Sequence, residues 1–242
     1  CALLCLAWPG AAAAGQGPAL APPHTVDYTS ADAFSHMRPG LDDGERALFL
    51  QGRSLFRRAW IAGPRSAGDG RGLGPLYNRL SCVACHAGNG RGQAPAGPDA
   101  RMQSMLVRLS VAGAGPHGAP RPHPAYGDQL HEEGVHGVAG EGRARMHWVP
   151  VLHHAADGTR TVLRRPRIQF DELAYGPMGS VLHSPRVGSA VYGMGLLGAV
   201  PDAALQALAR LRQPDGVRGR LNRVWDPVQQ RMAIGRFGWK AN

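Results

Sequence analysis

Lysine is almost missing from this chain. Its 242 residues include 27 basic side chains, and Lys240 is the single lysine among them, so arginine carries nearly all of the formal net charge of +10. With so much Ala, Gly and Pro alongside, the bias reads first as a GC-rich coding background. A basic chain can bind nucleic acid or a membrane surface, but here the arginines are scattered and only Arg164-Arg165-Pro166-Arg167 clusters. That cluster reads as a solvated strand, so no nucleic-acid partner is expected. Long apolar runs are also missing. The run at residues 2–8 is too short to span a bilayer, and no transmembrane segment is expected. The glycine-rich stretch 66–74 lacks the Lys and the Ser/Thr of a phosphate-binding loop. No internal repeat is evident.

Cysteine is scarce. Of 4 in the chain, Cys1 and Cys5 fall in the N-terminal apolar run. A zinc site needs four ligands, usually two cysteine pairs, and no second pair follows Cys82 and Cys85 at finger spacing. A thioredoxin-type dithiol needs a βαβ surrounding, which this stretch lacks. A disulfide across so short a loop remains open, though strained. What is present is the pentad Cys82-Val83-Ala84-Cys85-His86, the attachment pattern of c-type haem. Residues i and i+3 share one face of a helical turn. Two thiols so placed can each form a thioether to a vinyl group of one porphyrin, and His86 can then give the iron an axial nitrogen. Cys82, Cys85 and His86 are therefore the candidate cofactor site, with His86 as the metal ligand and one covalent haem c as the cofactor.

Asp42 or Asp43 can cap a helix over residues 45–56. Its Leu48, Phe49, Leu55 and Phe56 form one stripe, read as facing a core. Pro75 suits the first turn of a helix that carries the pentad, with Leu76, Tyr77, Leu80, Val83 and Ala84 as its apolar side. Alternation through Met105, Val107, Leu109 and Val111 predicts a strand, and residues 112–124 read as a loop. Asp157-Gly158 between residues 143–154 and 159–170 is a hairpin signal, and Pro150 and Pro166 push both strands to an edge. A helix through 190–199, another opened by Pro201-Asp202, and an extended run at 232–239 complete the pattern. Residues 2–8 with the small Ala11 to Ala14 look like the back half of a secretory signal, and c-type haem is joined outside the cytoplasm, so a periplasmic or exported protein is expected.

The residues from Gly74 through the pentad to Gly92 resemble the first haem segment of the bacterial di-haem oxidoreductases, also described as peroxidase-like and thiol-oxidoreductase-like. Further stretches look like that family in the same order: Ser104-Met-Leu-Val-Arg-Leu-Ser110, Ala125-Tyr-Gly-Asp-Gln-Leu130, Leu173-Ala-Tyr-Gly-Pro177, Ser184-Pro-Arg-Val187, Gly193-Met-Gly-Leu-Leu197, Asn222-Arg-Val-Trp-Asp-Pro227 and Gly235-Arg-Phe-Gly-Trp-Lys-Ala241. The resemblance implies an exported redox protein with cytochrome-c-like haem domains. Two features depart from it. Family members are longer and carry a second Cys-x-x-Cys-His, absent here. The stretch 212–219 keeps only Asp215 as a carboxylate, too few oxygens for a calcium loop.

The expected architecture is mainly α, a cytochrome-c-like haem domain with a β-hairpin-bearing insertion between residues 101 and 175. Residues 1–23 are expected to be a signal-peptide remnant and linker. Residues 24–242 are expected to form the haem domain, truncated at its C-terminus. The expected function is that of the N-terminal half of a di-haem, peroxidase-like oxidoreductase, with a redox partner protein or a small-molecule oxidant. The alternative is an electron-transfer cytochrome c module that catalyses nothing. Met102, Met105, Met146, Met178, Met194, His147, His153, His154 and His183 are the candidates for the iron's other axial side, and the sequence selects none of them.

Overall fold

Strand pairing, not helix packing, builds the core of this protein. The computed structural model describes residues 26–63, 72–238 and 240–241. The secretory-signal reading, with Cys1 and Cys5, lies outside them, as does most of the glycine-rich stretch 66–74.

Helix α1 spans Asp43–Arg57 and starts where the sequence directs. The Asp42 carboxylate accepts the Glu45 N–H at 2.8 Å, and the Glu45 side chain accepts the Asp42 N–H at 3.1 Å. This reciprocal box satisfies two orphan donors of the first turn. The apolar stripe is not core, however. No residue of α1 is buried, and Leu48 is 69% exposed. The helix expected from Pro75 is also replaced. Leu76–Tyr77 is a short strand, β1, paired with β4, Glu133–Gly134, and only α2, Cys82–Cys85, is helical. The extended backbone of Ser81 (φ −148°, ψ 158°) separates the two.

The centre of the fold is β2, Met105–Ala114. One edge pairs antiparallel with β7, Leu182–Val187, from Met105↔Val187 to Ser110↔Leu182. Near the other edge, Leu109 N–H donates to Asp128 O and Leu130 N–H to Val107 O. The second half of β2 meets β3, Pro120–Arg121, across a bulge, so the expected loop at 112–124 is partly strand. The alternation holds, with Val107 and Leu109 buried. The long hairpin also forms as its turn signal directs. β5, Arg143–His154, pairs with β6, Arg160–Asp171, along their full lengths. Gly158 takes φ +84° in the turn, and the Asp157 carboxylate accepts Thr159 N–H at 2.9 Å. Both strands are edges, since this sheet contains only the two.

The base of that hairpin packs on β2. Met146 and Tyr126 are fully buried, with Met102, Val107, Leu109, Leu130, Ala144 and Met178 around them. Tyr126 is held at its far end, where its hydroxyl donates to Gly176 O and accepts Tyr175 N–H. The remaining elements are α3, Met194–Gly198, α4, Asp202–Arg210, and the hairpin of β8, Arg223–Asp226, with β9, Arg231–Ile234. Neither α3 nor α4 buries a residue.

The expected mainly α architecture is therefore wrong. The described residues are 20% helix and 30% strand, with several antiparallel sheets. The physical reason is where apolar surface finds a partner. The stretch expected as an insertion holds the core, because the alternating residues of β2 and β5 bury against each other, while no residue of α1 or α4 is buried among the described residues.

Candidate cofactor site

Three separate segments meet at the pentad. α2 is a single turn closed by His86 N–H donating to Cys82 O at 3.0 Å. It places Cys82, exposed, and Cys85, half-buried, three residues apart on that turn. His86 then leaves helical geometry (φ −110°, ψ 61°), which turns its ring away from the axis. Gly88 and Asn89 both take φ +60° to bring the chain back. The Asn89 amide donates to Phe34 O and Ser35 Oγ, and Asn89 O accepts Val191 N–H at 3.1 Å.

The segment after β7 supplies the partner of His86. Its Nδ1 lies 2.6 Å from Ser189 O. A carbonyl oxygen can only accept, so Nδ1 carries the proton and Nε2 keeps its lone pair free. Backbone bonds lock this arrangement. Gly92 N–H donates to Gly188 O at 2.8 Å, and Gly188 N–H donates to Ser104 O at 2.9 Å. At Gly188 a Cβ would stand 3.1 Å from His86 Cε1 and 3.2 Å from Cys85 O, so the backbone packs directly against the ring. Phe56, from the last turn of α1, places its ring 6.1 Å from that of His86 at 49°.

Arg79 ties the other flank. Its guanidinium donates to Gln103 O and Met102 O at 3.1 Å each, and Cys85 Sγ lies 3.7 Å from the same Gln103 O. Burial raises the Cys85 thiol above its ordinary pKa; the Arg79 cation opposes this and Cys82 adds to it. Beside α2 lies a cleft of about 440 Å³ whose wall includes Ala84, Ala87, Ala94 and Pro95, with Arg91 and Arg101 at it. Arg101 pairs with Glu133 at 2.6 Å, whereas Arg91 has no ion pair among the described residues.

The raised Cys85 pKa has a direct consequence. In protein without cofactor at about pH 8, iodoacetamide is expected to alkylate exposed Cys82 well before Cys85, because only thiolate reacts. The gap should narrow as pH rises, as Cys85 gives up its proton. Mass mapping of the labelled peptides measures this; equal rates at the lower pH would contradict it.

The candidate axial residues are scattered. Met102, Met146 and Met178 belong to the sheet core, and Met105 packs against it. His153 and His154 are exposed on β5. His183 meets Phe170 edge-on at 5.5 Å. The Nε2 of His147 is buried without a partner among the described residues, and Met194 opens α3. What sequence reasoning missed is the Ser189 carbonyl, Gly188 and Phe56. A backbone acceptor leaves no residue-type signal, and the contacts span 103 positions for His86 and Ser189.

Chemically, this is a site of two thiols on one turn next to an imidazole whose tautomer is fixed and whose outer nitrogen can bind a metal. It sits in a protein of a defined class. A family model described as di-haem oxidoreductase, putative peroxidase, matches residues 24–242, and the chain belongs to that family. The family's description makes haem the cofactor and oxidation–reduction the chemistry. No curated protein and no solved structure matches the chain. Among the described residues no helix is long and apolar enough to cross a membrane.

Proposed function

We propose that Cys82 and Cys85 hold one haem covalently and that His86 is its axial ligand, in a periplasmic or exported oxidoreductase of peroxidase type. The observation that carries this reading is the Nδ1–H of His86 donating to Ser189 O. Imidazoles that ligate metals commonly spend their second nitrogen on such an acceptor, which orients the ring and raises the basicity of the ligating nitrogen.

When bound, haem supplies a one-electron couple at its iron. The chain's own residues do the rest. Gly188 and Phe56 limit how far the His86 ring can rotate. Arg79 fixes the 102–103 backbone on which Cys85 rests. The alanines and Pro95 of the cleft offer an apolar wall, and the Arg91 and Arg101 guanidinium forks suit carboxylates. The partners are a redox protein or a small-molecule oxidant, without nucleic acid. The family's second haem has no Cys-x-x-Cys-His in this sequence, so this chain furnishes one of the two sites, and the other comes from polypeptide outside it.

The experiment is spectroscopic. The protein, produced with c-type maturation machinery, is titrated with hydrogen peroxide and with carbon monoxide. A peroxidase-type site shows a high-spin ferric spectrum that changes with peroxide. A six-coordinate low-spin iron indifferent to both would instead make this chain an electron-transfer module.

A further inference from the structure

We propose that the outer half of the β5–β6 hairpin, residues 149–165, is a docking arm for an acidic, apolar-centred surface on a partner protein. The base of the hairpin is core, with Ala144 and Met146 buried and Ile168 and Phe170 packed against them. Beyond Trp148 the strands leave that core. From 149 to 167 every residue is exposed except Val151 and Ala155, which are half-buried. A two-stranded ribbon uncovered on both faces is marginal on its own, so its surface needs a reason.

That surface is exposed, yet it mixes aliphatic side chains with arginines. Register places Leu152 opposite Val162 on one face and Val151 opposite Leu163 on the other. Val149, Leu152, Val162 and Leu163 are 40–65% exposed. Arginines flank both pairs along β6: Arg160 and Arg164 bracket Val162 on the first face, and Arg165 and Arg167 follow Leu163 on the second. None of the four has an ion pair among the described residues. Asp157 is the lone carboxylate between 149 and 167, and it is engaged by Thr159 N–H in the turn. Arg164 is already placed, its guanidinium 4.9 Å above the Trp148 ring, while the indole N–H is anchored on Pro95 O at 3.2 Å. Aliphatic centres framed by arginine are the composition of a protein interface, and guanidinium forks match carboxylates bidentately.

The arm is built to be read by its faces. Pro150 faces Arg164 and Pro166 faces Trp148. These pairs have the same parity along the ladder, and a proline cannot exchange N–H bonds with its partner. Both missing N–H groups therefore point outward, one on each free edge, where they blunt strand addition. The tip, Ala155 to Gly158, has an acid and no aromatic, unlike a segment made to enter a lipid interface. Nothing in this role requires the haem.

The test places a photo-crosslinking p-benzoylphenylalanine at Leu152 in the full chain, with the same group at Val228, 89% exposed on the β8–β9 turn, as the control. Extract of the producing cells is irradiated, and the protein joined at 152 but not at 228 is identified and purified. The expected result is an adduct on an Asp/Glu-rich segment of a second protein. Its affinity should fall at least about tenfold for Arg160→Glu/Arg164→Glu/Arg165→Glu, and also as salt rises. These sites are exposed, and unchanged melting of each variant confirms an intact core. Four results would overturn the proposal: no adduct above the control, an affinity that ignores charge reversal, an adduct only with another copy of this chain, or loss of the adduct to vesicles of one part phosphatidylglycerol to three of phosphatidylcholine.

Discussion

Cys82→Ala combined with Cys85→Ala is expected to give a protein whose haem, if any is retained, leaves completely in acidified acetone, while the unaltered chain keeps its haem on the polypeptide. Each single variant should keep one thioether and show the shifted pyridine haemochrome band of a haem with one vinyl group still free. The cause is local: exposed Cys82 and half-buried Cys85 stand on one turn, which would let each reach a different vinyl group of the proposed haem. His86→Ala should lower haem retention by about tenfold or more, since no other imidazole among the described residues meets Ser189 O. If the unaltered chain releases its haem to the solvent, the attachment reading fails. His86→Ala indistinguishable from the unaltered chain in spectrum and haem content would remove His86 from the site.

Met146→Ala is expected to cost about 2–5 kcal/mol of stability, because it deletes a fully buried side chain from the centre of the core. Leu48→Ala, on the uncovered face of α1, should stay within about 0.5 kcal/mol. Urea midpoints at unchanged slope measure both. The contrast decides which half of the molecule carries the fold. An architecture packed around helices would reverse it, with Leu48 costly and Met146 cheap.

The helical reading failed for a specific reason. The stripes of α1 and α4 are genuine, and the capping box at Asp42 forms, yet amphipathicity says only that a face can be buried, not that a layer lies against it. The Pro75 stretch failed similarly. Leu76 and Tyr77 suit a helix, but pairing with Glu133 and Gly134 draws them into a strand, a long-range choice that overrides local preference. Leu182 to Val187 gave no alternation to read, because Pro185 and Ser184 interrupt it, and it becomes a strand only by lying along β2.

By itself the sequence determined whatever rests on local chemistry. The pentad puts two thiols and an imidazole within five residues, Asp157-Gly158 fixes a turn, Asp42 and Glu45 fix a helix start, and Pro150 and Pro166 fix which strands are edges. Each depends on neighbours within a few positions, so the order of residue types is enough. The tertiary structure alone decided where the core lies, that the outer hairpin stands uncovered, and which atom orients His86. The last shows why. The acceptor is a main-chain carbonyl, Ser189 O, 103 residues from the ring it holds. Every residue has such a carbonyl, so only the path of the chain, set by β7 pairing on β2 and by Gly188 packing against the imidazole, selects this one.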